Sequence, residues 1–180
     1  MNRAAFSAPL QDGIAPVDML PDGGKYPFRV RMDQWYLWPG CRGVAPVVVP
    51  LPEGYRTDGP SIPWYAQGIV RKDGPAWAAA LFHDVACSAE LWPARVCNLL
   101  MSDAMHDWGT VPVDDQDQIE LAIGALCWTT WWSHKRAEVA ADRAMVFAAS
   151  RRIWREHGPE FAGYARIEDV VYVVRLTCSM

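Results

Sequence analysis

The chain has 180 residues, 51% of them hydrophobic and 21% charged, with 17 Lys and Arg against 21 Asp and Glu for a formal charge of -4. That apolar content excludes intrinsic disorder, and the length suits one globular domain that buries about 70% of the surface its unfolded chain would expose. The slightly acidic balance gives no electrostatic drive toward nucleic acid, so no nucleic-acid partner is expected.

Residues 1–25, rich in Pro, Gly, Ala and Asp, read as an arm or irregular lead-in whose order depends on a partner; residues 26–180 read as a single globular domain. Tyr26 to Met32 alternates apolar and polar side chains, the pattern of a strand with one buried face. A second strand is expected over Ala45–Leu51, where Pro46 and Pro50 bracket three valines and point to an edge or short strand. Pro52-Glu53-Gly54 makes a turn, and Tyr55 to Trp64 is an irregular segment held by two prolines. A helix over Pro75–Cys87 presents Trp77, Leu81 and Val85 on one face. A second runs from Pro93 to Trp108, its stripe of Val96, Cys97, Leu100, Met101, Ala104, Met105 and Trp108 opposed by Ser102, Asp103 and His106. A third helix opens at Pro112 and Asp114 and reaches about Trp132, and a fourth spans Lys135–His157, ended by Gly158-Pro159. Val170–Leu176 (VVYVVRL) is the strongest strand pattern in the chain. The expected class is α+β: a small, mostly antiparallel sheet from N-terminal strands and the C-terminal strand, packed with three to four helices.

Ten tryptophans are the compositional outlier, each able to bury about 150–250 Å² while needing a partner for its indole N–H. Most fall in expected helices, whereas Trp35, Trp38 and Trp92 fall in expected loops and make, with the N-terminal arm, a docking surface. Trp64 and Trp77 are placed to wall a polar turn. The five cysteines, Cys41, Cys87, Cys97, Cys127 and Cys178, are odd in number and contain no C-x-x-C pair, so they read as thiols in a reducing compartment rather than a disulfide framework or zinc ribbon. The N-terminus lacks the apolar stretch of a secretory signal. The longest uncharged apolar run, Leu121 to Trp132, falls short of the roughly 20 residues that span a bilayer, so no membrane span is expected.

Two places hold chemistry. In Thr57-Asp58-Gly59-Pro60-Ser61-Ile62-Pro63 an acid and a hydroxyl stand three residues apart in a turn restrained by Gly and two Pro. His83-Asp84 lies in a helix otherwise apolar from Pro75 to Cys87, and burying such a pair costs several kcal/mol unless each group finds a hydrogen bond, a charge or a metal. The nearest polar supply is the Asp58/Ser61 turn, so the two segments are expected to meet. In a catalytic reading, Asp58, Ser61, His83 and Asp84 form the site: His83 is a general base or metal ligand, Asp84 and Asp58 orient it or share a divalent metal, and Ser61 donates a hydrogen bond or attacks. The alternative is a core network that fixes the helix to the turn. H-E-x-x-H, Gly-rich phosphate loops and the G-x-S-x-G elbow are absent. His-Asp is similar to the dyad of the HD phosphohydrolases, but no histidine precedes His83 to complete that site.

The run VPLPEGYRTDGPSIPW, followed by a helix with FHD and a helix carrying Met101 and Met105, resembles the phage- and prophage-associated family of domain of unknown function 1353. Val49, Pro50, Gly54, Tyr55, Thr57, Asp58, Ser61, Ile62, Pro63, His83 and Asp84 carry the resemblance, which extends over about residues 46–132. The family's third-block acid falls on Asn98 and its aromatic after His-Asp falls on Cys87; Asn98 is a weaker, uncharged ligand if that acid holds a metal. Asp103 points to the other side of its helix and is a poor substitute. The resemblance implies a phage or prophage origin, and with it a protein made in the host cytoplasm. One expectation is a virion component of the tail or neck that docks on other phage structural subunits through the arm and exposed tryptophans. It carries a hydrolase-like site acting on the host cell envelope, with or without a metal. The alternatives are a non-catalytic structural or assembly protein and a cytoplasmic accessory protein binding a host factor.

Overall fold

In a computed structural model, residues 6–7, 17–21, 24–58, 76–108, 117 and 136–171 are described. They form an α+β architecture of two small antiparallel sheets and three long helices. In chain order the strands are β1 (Val17–Met19), β2 (Phe28–Val30), β3 (Gln34–Trp38), β4 (Val47–Leu51) and β5 (Arg56–Thr57). The helices are α1 (Trp77–Ser88), α2 (Ala94–Trp108) and α3 (Arg136–His157), the last running into a 3-10 turn at Gly158–Phe161.

The β3-β4 hairpin is the centre of the molecule. Its register pairs Gln34 with Leu51, Trp35 with Pro50, Tyr36 with Val49, Leu37 with Val48 and Trp38 with Val47. All five β4 residues are buried, because successive side chains of a strand point to opposite faces and here both faces are covered. Val47, Val49 and Leu51 join the main core with Leu81, Phe82, Leu100 and Met105 from α1 and α2. Val48 joins a second cluster with Ala149 and Ile153 of α3 and Phe161 of the 3-10 turn. A single five-residue strand thus ties the three helices together, each buried Val contributing about 1.5–3 kcal/mol.

The tight turns follow from their glycines. In Pro52-Glu53-Gly54 the Tyr55 amide donates to the Pro52 carbonyl at 3.2 Å, and Gly54 has φ +81°, a conformation that favours a residue without Cβ. Gly40 has φ +79°, and a Cβ there would collide with the Val44 carbonyl. The turn before β3 is clipped to α3, since both carboxylate oxygens of Asp33 accept from Arg152 at 2.7 and 2.9 Å. Asp33 Oδ1 also accepts from the Glu53 amide at 2.8 Å.

The Ala-rich run of α1 favours helix, and its Ala78, Ala79, Ala80, Leu81, Phe82, Val85 and Ala86 are buried. Helix α2 starts just after Pro93, whose carbonyl accepts from the Val96 and Cys97 amides at 2.8 and 3.2 Å. Arg143 of α3 donates to the carbonyls of Ala89 and Glu90 at 3.0 and 2.8 Å. These bonds satisfy groups that the end of α1 leaves open.

Four expectations are corrected. Trp35 and Trp38 belong to β3 rather than to a loop; Trp38 is fully buried and Trp92 is 2% exposed. Trp35 is half-buried, its ring 5.7 Å from that of Phe161 and 4.4 Å from that of His157. None of the three offers the exposed docking surface expected of it, because the sheet face and the helix ends consume their apolar area. Second, part of the lead-in is built into the domain: Phe6 is 1% exposed, stacks on Tyr36 at 4.6 Å and bridges to it on the free edge of β3. Val17–Met19 pairs antiparallel with β2, so this stretch is ordered by the chain itself. Third, Val170 and Val171 lie in a helical turn over residues 167–171, where packing overrides β-branched propensity. The rest of that expected strand, residues 172–176, lies outside the described residues, and Ala165 bridges to Val47 in parallel. Fourth, Tyr26 to Met32 contracts to Phe28–Val30, with β5 rather than an irregular segment completing that sheet. The expected third helix apart from residue 117, which is helical, Ser61, Trp64, Trp128, Trp131, Trp132 and residues 172–180 lie outside the described residues, as does the Trp108 side chain.

Candidate active site

The polar pair on α1 sits where that helix meets β5 and α2. Tyr55 is buried, Arg56 exposed, Thr57 buried and Asp58 exposed, an alternation that sends the Thr57 side chain inward beneath α1 and Asp58 outward. Thr57 Oγ1 donates to Asp84 Oδ2 at 2.9 Å. The expected meeting of the turn and the His-Asp helix therefore takes place, through Thr57. Trp77 sets its ring edge-on to Phe28 at 5.0 Å, the β2 residue paired with Thr57.

His83 Nδ1 stands 3.8 Å from Asp84 Oδ1, with side chains 14% and 19% exposed. That distance is an ion pair when the imidazole is protonated and too long for a direct hydrogen bond. Among the described residues, Asn98 Oδ1 at 3.2 Å and Cys87 Sγ at 3.5 Å face the other ring nitrogen. Cys87 is four residues beyond His83, one turn along the same face of α1, and Asn98 reaches across from α2. Tyr55 OH and Ser88 Oγ, 3.0 Å apart, close the next turn.

Electrostatics follow burial. Desolvation pushes the Asp84 carboxyl up, while the charge of His83 and the hydrogen bond from the Thr57 hydroxyl hold it down and the charge of Asp58 raises it. Burial pushes the Tyr55 phenol well up, with the charge of Asp84 adding to it, so Tyr55 is a neutral wall of the site.

Of the four expected residues, His83 and Asp84 lie side by side and partly open. Asp58 is exposed on the far side of Thr57 and acts on Asp84 through its charge. Among the described residues no group of three or more His, Cys, Asp and Glu is placed to hold a metal, so His83, Asp84 and Asp58 are not gathered there as a metal centre. Thr57 and Cys87 are the members that sequence reasoning missed. The strand parity running from Tyr55 singles out Thr57, and the i, i+4 spacing singles out Cys87.

Residues 39–116 match the family model described as protein of unknown function (DUF1353). This is the family that the T-D-G-P-S-I-P and His-Asp blocks resemble, and the matched segment contains β4, β5, α1 and α2, hence every residue of the cluster. Cys87 and Asn98, which stand where the resemblance leads one to expect an aromatic and an acid, both face His83 Nε2. No curated protein and no solved structure matches the chain. Among the described residues no helix is long and apolar enough to cross a membrane.

Proposed function

We propose that this protein is phage- or prophage-encoded, is carried in the virion at the tail or neck, and hydrolyses a bond of the host cell envelope at the His83 cluster. The phage assignment is supported by the resemblance to DUF1353. The hydrolytic reading is carried by one observation: an ionisable His-Asp pair, braced by Thr57 from β5, stays partly open to solvent at the meeting of three elements. Here Asp84 orients His83 and stabilises its protonated form, and His83 takes a proton from the attacking group and returns it to the leaving group.

The test combines peptidoglycan sacculi and an ester-bearing envelope polymer as substrates with a thermal melt. The wild-type chain is expected to release soluble fragments, and His83→Ala to release none while melting cooperatively near the wild-type temperature. Equal release by the variant, or none by the wild type, overturns the hydrolytic reading. Mass spectrometry of purified particles decides the virion placement. The reading of the cluster as a strut between β5 and α1 rests on the Thr57–Asp84 hydrogen bond, and it takes over if His83→Ala unfolds the chain.

A further inference from the structure

The geometry points to Cys87 as the nucleophile of this site, attacking an acyl carbon of an ester or amide to form a thioester that water then hydrolyses. This inference rests on the hydrolytic reading of the His83 cluster and names its attacking atom.

The positions carry the argument. Cys87 Sγ lies 3.5 Å from His83 Nε2, close enough for a hydrogen bond to sulfur, and the thiol is partly exposed. A thiol beside an imidazole is an activated nucleophile, because the thiolate attacks and the imidazole takes its proton. The far side of the same ring faces a carboxylate, Asp84 Oδ1 at 3.8 Å, which favours the imidazolium that this transfer creates. The Asp84 carboxylate is in turn fixed by Thr57, so thiol, imidazole, carboxylate and hydroxyl form one chain from solvent to β5.

Asn98 fits the same chemistry. Its amide oxygen stands 3.2 Å from Nε2 and accepts from that nitrogen once it is protonated. A carboxylate there would repel the thiolate; an amide does not. Among the described residues, the charges of the thiol, Asp84 and Asp142 all act on Tyr55, which stays neutral.

The step balances without any redox partner. The Sγ–H proton passes to His83 Nε2 as the sulfur pair forms the S–C bond. The bond from the acyl carbon to oxygen or nitrogen breaks, and the leaving group takes the proton from Nε2. Water then attacks the thioester, giving a proton through His83 to the departing thiolate, and a carboxylic acid leaves. In this scheme Cys87 and His83 are catalytic, and Asp84, Thr57 and Asn98 are positioning residues.

The experiment uses the full chain and two probes, iodoacetamide at pH 6.5 and p-nitrophenyl acetate with an acid quench, both read by peptide mass spectrometry. Cys41 is the internal reference, since burial and the charge of Asp103 push its thiol up. Cys87 is expected to alkylate at least about tenfold faster than Cys41 in the same molecule and about tenfold faster than Cys87 in H83Q, with the acetyl group trapped on the Cys87 peptide. Cys87 reacting no faster than Cys41, or an acetyl group on another residue or on none, overturns the proposal, and neither result depends on the folding of a variant. A C87S chain that releases envelope fragments at the wild-type rate also overturns it and leaves the hydrolytic reading standing. A wild-type chain with fast, acetylated Cys87 that releases no envelope fragments sinks the envelope substrate and leaves the thiol site standing.

Discussion

Two carboxylate junctions join helices to strands in this fold, and they are built from different chemistry. Along α2, Asp103 Oδ2 accepts from the Trp38 indole at 2.7 Å and Asp107 Oδ2 accepts from the Tyr36 hydroxyl at 2.8 Å. These two acids stand four residues apart and take donors two residues apart on β3, so one helix face and one strand face are matched bond for bond. Both donors hold their protons at ordinary pH, since burial and the Asp107 carboxylate push the Tyr36 phenol further up. Along α1, Asp84 takes one hydroxyl, from Thr57, and turns its other oxygen toward an imidazole that also faces a thiol and an amide. The α2 junction can only hold. The α1 junction is built from groups that can exchange protons, and it is partly exposed.

The largest effect that would break this comparison is on activity. His83→Ala is expected to lower hydrolysis by about 10²–10⁴-fold, the range of a lost general base, with a small change in melting temperature. Asp103→Asn, which alters the α2 junction, should do the reverse, lowering the melting temperature while each folded molecule keeps its turnover. If both variants affect activity alike, the two junctions do not differ in kind.

The second effect is on stability. Trp38 and Trp92 are both buried and their rings pack 5.2 Å apart, but Trp38 donates to Asp103 while the Trp92 indole nitrogen has no hydrogen-bond partner among the described residues. The same change, Trp→Phe, removes similar volume at each position. Trp38→Phe should cost about 1–3 kcal/mol more than Trp92→Phe, because it leaves the Asp103 carboxylate short of a donor. Urea unfolding of the two variants measures the difference. Equal costs would mean that the junction contributes packing alone.

The comparison also explains how much of the molecule could be read from its residues. Helices α1, α2 and α3 were legible because alanine content, apolar stripes and Pro or Gly punctuation agree. Strand β3 was not, since QWYLW is apolar on both faces and shows no alternation when both sides of a sheet are covered. The tail VVYVVRL looked like the best strand in the chain, yet Val170 and Val171 are helical, because three-dimensional packing outweighs β-branched preference. At the site, the isolation of His83-Asp84 in an apolar helix announced that partners must exist. Their identity depended on a parity that residue types do not show: attention to Asp58 and Ser61 passed over Thr57, one residue earlier and facing in. Asn98 was noticed as a departure from a pattern, and only the fold places it on His83 Nε2.

A smaller effect isolates the brace. Thr57→Val keeps the shape of the side chain and removes the hydroxyl that donates to Asp84. Its cost should be about 1–2 kcal/mol by urea unfolding, the range for a lost hydrogen bond to a charged group in a partly buried place. If the brace also positions the imidazole, kcat should fall while KM stays near wild type. A stability loss with unchanged kcat would show that Thr57 holds α1 to β5 without steering His83.

The smallest effect at any one pH is a slope, and its sign separates an acid placed for chemistry from one placed for stability. Desolvation raises the Asp84 carboxyl above its ordinary value of about 3.9. The folded chain therefore binds this proton more tightly than the unfolded chain does, and stability must fall as pH rises from that value through the folded one. Asp84→Asn removes the titration. Its stability relative to wild type is expected to rise with pH across this acid window, measured by urea midpoints at intervals from about pH 4 to 6. A salt-bridge strut would show the opposite, with the wild type gaining over the variant as the carboxylate ionises, and that outcome would place Asp84 in the same class as the acids of α2. The expected sign means that the fold bears the charge of Asp84 at a cost, which the charge of His83 and the Thr57 hydroxyl reduce without cancelling.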